Sequence, residues 1–318
     1  MQIKPAFDFL KETFTEWTDD EVPQHAAALA YYTIFSLAPL LLIVIAIAGL
    51  AFGRDAVEGR LVGEISGLVG PQGGQAIQTM VANAGRHGSG LLATVVGVVT
   101  ILFGAMGVFT QLQGSLDHIW DVRPKPGRGI KGIVMSRAAA FGMLLGIGFL
   151  LLVSLVVSTA LTTVGTYFAG LLPAGKVLLQ VVSELFSFAV VTALFAMLFR
   201  FLPDVRIAWR DVWVGAVSTA LLFTLGKYLI GLYLGRSSVA SVYGAAGSLV
   251  IVLLWIYYSA MILFFGAEIT QVYARRYGTR IQPDKHAMPV PGREHGEKKK
   301  EGAGAPSKVQ EPQPVSSR

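Results

Sequence analysis

Apolar and charged positions are segregated along this chain. Four runs, Ala26–Gly53, Gly88–Leu116, Ala138–Gly175 and Ser237–Ala267, contain no Asp, Glu, Lys or Arg. Two more, Val177–Phe199 and Val212–Gly235, hold one charge each, Glu184 and Lys227. About 20 apolar residues suffice for a helix to cross the hydrocarbon core of a bilayer. Such segments must be helical, because lipid offers the backbone no hydrogen-bond partner. The pattern predicts an all-α, polytopic membrane bundle over residues 26–277 with six transmembrane helices, at about 26–53, 88–116, 138–169, 177–200, 211–235 and 246–274. The third run is too long for one span and is read as a helix followed by an outer loop near Gly170–Gly175.

The segments between the runs carry the direction of insertion. Lys4 and Lys11, then Arg123, Lys125, Arg128, Lys131 and Arg137, then Arg200, Arg206 and Arg210 fall on one side together with the C-terminal segment. The opposite side has only Arg54, Arg60, Arg86, Lys176 and Arg236. Positive charge marks the cytoplasmic side, so both termini are predicted inside, with 1–25 a cytoplasmic N-terminal segment. The outer loop at 55–85 has a pattern of its own. Val57, Leu61, Ile65 and Leu68 recur at helical spacing, and Ile77, Met80, Val81 and Ala84 repeat the stripe after Pro71-Gln72-Gly73-Gly74. Two short amphipathic helices joined by a turn follow, either lying over the outer surface as a lid or packed on the bundle. Residues 278–318 are rich in Pro, Gly, Lys and Glu and are predicted to be a disordered basic cytoplasmic tail. Lys298, Lys299 and Lys300 there offer a contact to anionic lipid headgroups.

Composition narrows the chemistry. Only 14% of the 318 residues are charged, and there is no cysteine, which excludes disulfides and thiolate chemistry. The net charge of +6 does not call for nucleic acid, because ten of the 26 Lys and Arg lie beyond Ala274 and most others flank apolar runs. The first 24 residues, with Asp8, Glu12, Glu16, Asp19, Asp20 and Glu21, lack the basic start and short apolar core of a signal peptide. The five histidines form no HxH or HxxE spacing, and no phosphate-binding loop or Gly-x-Ser-x-Gly element is present. No metal, cofactor or enzymatic activity is therefore expected.

The remaining polar groups are the candidates for a transport site, because ionisable residues inside a membrane mark pathways by default. Glu184 lies 21 residues before Val205 and Lys227 lies 22 after it. On two antiparallel helices this puts them at one depth, which predicts an ion pair; the alternative is that Lys227 snorkels outward to headgroups while Glu184 faces water or is protonated. Glu268, Gln111, Gln113, Tyr31, Tyr32, Asp117 and His118 all fall near inner ends of spans and form a candidate inner polar cluster. Packing, interface anchoring and a pair between Glu268 and Arg200, Arg210 or Arg275 are the plainer roles. Tyr243, Gly244, Gly247 and Ser248, before span six, read either as a close helix contact or as an unwound stretch beside a cavity. Pro39 is expected to kink span one.

Three motifs resemble one family. Ala28-Leu29-Ala30-Tyr31-Tyr32-Thr33-Ile34-Phe35-Ser36-Leu37-Ala38-Pro39-Leu40 is similar to the first-span signature of the YihY/virulence factor BrkB family. Asp117-His118-Ile119-Trp120 fits after span two, and Leu254-Trp255-Ile256-Tyr257-Tyr258 with Phe265-Gly266-Ala267-Glu268-Ile269-Thr270 fits span six. The resemblance covers roughly residues 5–277. It implies a six-span bacterial inner-membrane protein, multi-pass, acting in transport or envelope-lipid handling with membrane lipids as partners. A ribonuclease activity was once attributed to the family; the sparse ligand set disfavours it here. A non-transporting scaffold in envelope assembly is the alternative. Substrate and oligomeric state are left open.

Overall fold

The computed structural model describes residues 3–86, 106–125, 173–236, 246–278, 281–285 and 287–290. Seven helices stand in these stretches: α1 (Ile3–Asp19), α2 (Val22–Phe52), α3 (Arg54–Arg86), α4 (residues 106–119), α5 (Pro173–Phe201), α6 (Trp209–Arg236) and α7 (Gly247–Tyr277). Helix α2 contains span one and stays helical through Pro39. Helices α5, α6 and α7 contain the segments predicted as spans four, five and six. Within them Val181–Phe201, Trp209–Ile230 and Gly247–Tyr277 are long and apolar enough to cross a membrane. Span three, the first part of span two, Tyr243, Gly244 and Lys298–Lys300 lie outside the described residues, whereas Gly247 and Ser248 form the first turn of α7.

Two apolar clusters hold the described helices together. The first joins the start of α2 (Val22, Ala26, Leu29), α4 (Phe109, Leu116, Ile119), the end of α5 (Ala196, Phe199), the start of α6 (Val212, Ala216) and the second half of α7 (Phe264, Ala267, Ala274). Because it collects the ends nearest both termini, this end is called the terminal face. The second cluster, at the other end, joins Ile45 of α2, Ile77 and Val81 of α3, and Val252 and Trp255 of α7. Helices α6 and α7 cross closely between them. A Cβ on Gly266 would stand 2.8 Å from Thr219 Cβ, and one on Gly215 would stand 2.7 Å from Thr270 Cβ. Small residues at such a crossing let two backbones approach.

Helix α3 refines the reading of the outer loop. Its hydrogen bonding is helical throughout, yet a Cβ on Gly74 would meet Ser66 Cα at 3.0 Å. Eight residues of straight helix rise about 12 Å, so the element doubles back at Pro71–Gly74 into two arms. The chain also reverses before it: Gly53 has φ 82, and a Cβ on Gly49 would lie 3.3 Å from Arg54 Cα. The arms do not lie flat. Val57, Leu61 and Ile65 of one arm and Ile77 and Val81 of the other join Leu41, Leu42 and Ile45 of α2 in the second cluster. The loop is packed on the bundle.

The expectation of a wholly disordered 278–318 tail is corrected at its start, and so is the all-α class in detail. Four short strands, β1 (Val122–Pro124), β2 (Val205–Arg206), β3 (Gln282–Pro283) and β4 (Ala287–Pro289), form two antiparallel pairs, β1–β4 and β2–β3. Residues 281–290 thus lace the α4 and α5–α6 connections together. The Asp284 N–H donates to Asp204 O at 2.9 Å, the Val290 N–H to Asp121 O at 2.9 Å, and Arg206 pairs with Asp284 at 3.0 Å. Backbone pairing with ordered loops and burial of Ala287 supply what this polar segment lacks by itself.

Candidate functional site: an acidic centre at the terminal face

The last turns of α7 organise the terminal face. Arg275 donates to the carboxylates of Glu12 and Glu16 on α1, the second at 2.7 Å, and Arg276 pairs with Glu12. Two turns before Arg275, Glu268 is fully buried. Neither of its carboxylate oxygens meets an N–H or O–H donor among the described residues. The carboxyl groups of Asp20, Glu16 and Asp121 stand close enough to act on it electrostatically. The candidate pairs of Glu268 with Arg200, Arg210 or Arg275 are not formed among the described residues. Arg275 is taken up by α1, and Arg200 donates to Ile207 O and stacks on Trp209, 5.8 Å from its centroid.

Around this acidic centre runs a network of amides and carboxylates. Gln271, one turn past Glu268, donates to Ile119 O at 2.6 Å and reaches Asp121 at 3.4 Å. Asp121 closes α4 in the left-handed region, φ 52, which Asp enters more readily than most residues. Asp117 accepts from the Asp204 N–H at 2.7 Å, and Gln113 reaches the Asp204 carboxylate at 3.4 Å. Gln111 donates to Ser115 at 3.1 Å; Ser115 bonds His25 Nδ1 at 3.0 Å; and the His25 and His118 rings lie 4.8 Å apart. Glu268, Gln111, Gln113, Asp117 and His118 therefore all occupy the terminal face. Among the described residues no three His, Asp or Glu side chains are grouped to hold a metal ion.

Two expectations are corrected. Tyr31 and Tyr32 do not join this interior network. Both are exposed on α2, where Tyr31 packs edge-on against Tyr32 and Phe35. Glu184 and Lys227 do not pair among the described residues. Glu184 is on an exposed face of α5 beside Val181, Val182 and Leu185, and the Lys227 ammonium lies 5.1 Å from the Tyr228 ring centroid. Equal depth fixes the level of two side chains but not the direction in which each helix turns them. Sequence reasoning missed Asp20, Glu16 and Gln271. Asp20 and Glu16 sit in a stretch that reads as plainly acidic. Gln271 had a usable signal, one helical turn beyond Glu268 on the same face.

The chain matches known proteins over most of its length. The family model described as virulence factor BrkB matches residues 13–291. A UPF0761 membrane protein of Ralstonia nicotianae is 32% identical over 257 residues, which is 79% of this chain and 55% of that protein. UPF0761 membrane proteins of Azotobacter vinelandii and Pseudomonas aeruginosa are 29% and 30% identical, over 83% and 82% of this chain and 62% of each of theirs. The chain thus spans 55–62% of the length of these relatives. No solved structure matches it. The family match begins within α1 and runs just past β4, so it takes in Glu16, Asp20, Asp121, Glu268 and Gln271: the chain belongs to the virulence factor BrkB family of membrane proteins.

Proposed function

We propose that the protein is a six-span, multi-pass transporter or lipid-handling protein of the bacterial inner membrane, with both termini in the cytoplasm. The terminal face is then its cytoplasmic mouth. The observation that carries the proposal is Glu268, a buried carboxyl group with carboxyl neighbours and no basic partner among the described residues. Leaving a charge or polar group buried without compensation is costly. A scaffold would gain by an apolar or amide residue there, whereas a transporter uses such a group to take up and release a cation or proton. In this reading Glu268 and Asp20 bind the positively charged species, Gln271 orients the rim, and the α1–α7 ion pairs set the distance between the two carboxyl groups. Membrane lipids are the surrounding partner, and neither nucleic acid nor hydrolytic chemistry belongs to the proposal. Reconstitution tests it. Purified protein in vesicles should raise ion flux or phospholipid scrambling above protein-free vesicles in panels of ions and labelled lipids. Folded, inserted protein that does neither across the panels would leave the scaffold reading.

A further inference from the structure

Helix α1 has three faces, and only one of them meets the bundle. Thr13, Glu16 and Asp20 are buried against it, with Phe9 and Glu12 half-buried alongside. Phe7, Leu10 and Phe14 recur at spacings of three and four residues, so they share one side of the helix. They are 66%, 55% and 59% exposed. Asp8, Lys11, Thr15 and Asp19 are exposed on a third side. At about 100° per residue the centres of these faces fall roughly a third of a turn apart. A helix lying in a membrane surface at the edge of a bundle has this arrangement, with one sector on protein, one on lipid and one on water.

The level of α1 along the bundle is fixed by contacts. Glu12 and Glu16 hold Arg275 and Arg276, and the next residue of α7 is the exposed Tyr277. Phe201, Trp209 and Trp213, at the adjoining ends of α5 and α6, are exposed at the same end. Aromatic side chains at span ends mark the headgroup level of a bilayer. Phe7, Leu10 and Phe14 therefore stand at the end of the bundle where these exposed aromatic side chains mark a headgroup level.

We infer that α1 is an in-plane helix seated in the bilayer leaflet at the terminal face, with Phe7, Leu10 and Phe14 inserted among acyl chains and Thr15 in water. The same helix carries Glu16 and leads directly into Asp20, so its lipid seat positions two of the carboxyl groups near Glu268. The seat requires neither the transport reading nor a particular orientation of the termini. Because the chain has no cysteine, single-cysteine spin labelling needs no altered background. Nitroxides would be placed at Phe7→Cys, Leu10→Cys, Phe14→Cys and Thr15→Cys in the full chain, in vesicles of phosphatidylethanolamine and phosphatidylglycerol. Power saturation would compare dissolved oxygen with a water-soluble nickel chelate. The expected result is an oxygen-to-nickel accessibility ratio several-fold higher at positions 7, 10 and 14 than at 15. Equal ratios at all four would put the apolar face in water and overturn the inference. Dipolar broadening between labels at position 14 would show a second copy covering this face, and protection from both reagents at 10 and 14 would show another protein surface; either result overturns it too.

Discussion

Arg275 shows how a single side chain ties two elements at the terminal face. Its guanidinium serves Glu12 and the buried Glu16 together, and Arg275→Ala would leave Glu16 without that donor. We expect a loss of about 1–3 kcal/mol, the usual cost of orphaning a partly buried charged hydrogen bond, read as a lower unfolding midpoint in detergent. Arg276→Ala should cost less, because its carboxylate partner, the half-buried Glu12, keeps Arg275 as a donor. At this scale the sequence showed which charges sit in or beside apolar runs, but not their neighbours. Glu184, Lys227 and Glu268 were all visible as departures from the pattern. Uniformly apolar helices such as α5 and α6 carry no polar stripe to say which way a residue points, so azimuth was not legible. Glu268 stood out as a charge beside an apolar run, but its neighbours did not: the expected arginine pairs are not formed among the described residues, and two of the carboxyl groups near it come from the acidic stretch at residues 16–20.

Among the elements, α3 and the α6–α7 crossing give the sharpest expectations. If α3 doubles back at Pro71–Gly74, cysteines introduced together by Ser66→Cys and Gly74→Cys should oxidise to a disulfide. Residues eight apart on a straight helix are far beyond bonding reach. Free thiols that persist under oxidant would show a straight helix. At the crossing, Gly266→Ala drives a methyl group into the stiff, β-branched Thr219. It should cost about 1–3 kcal/mol by overpacking, checked by the same unfolding midpoint. The stripe and turn of α3 could be read from its spacing, because a helix that is polar on one side leaves a period in the sequence. Its docking on α2 could not, since any apolar stripe needs cover without naming it. Helix α1 was passed over because its acidic residues drew attention from Phe7, Leu10 and Phe14, whose spacing was the available signal. The lengths of α5, α6 and α7, which are apolar enough to cross a membrane, followed from the apolar runs almost directly.

For the whole molecule, the strands at 281–290 make the C-terminal segment two different things. Ending the chain after Val290 should leave folding and insertion unchanged, because both strand pairs remain. Ending it after Arg280 removes β3 and β4 and exposes Val122 and Val205, which are otherwise buried. Lower yield of monodisperse protein is expected from the second truncation alone. The sequence missed this boundary because short strands paired across loops depend on tertiary contacts that composition does not encode. The account as a whole turns on whether the buried acidic centre does work or merely fills space. The most direct measurement compares wild type with Glu268→Gln in vesicles, using whichever ion or lipid the wild type moves. The amide keeps the shape and removes the exchangeable charge. The account predicts that Glu268→Gln folds and inserts as well as wild type and loses most of the flux. Equal flux from the two proteins would contradict it.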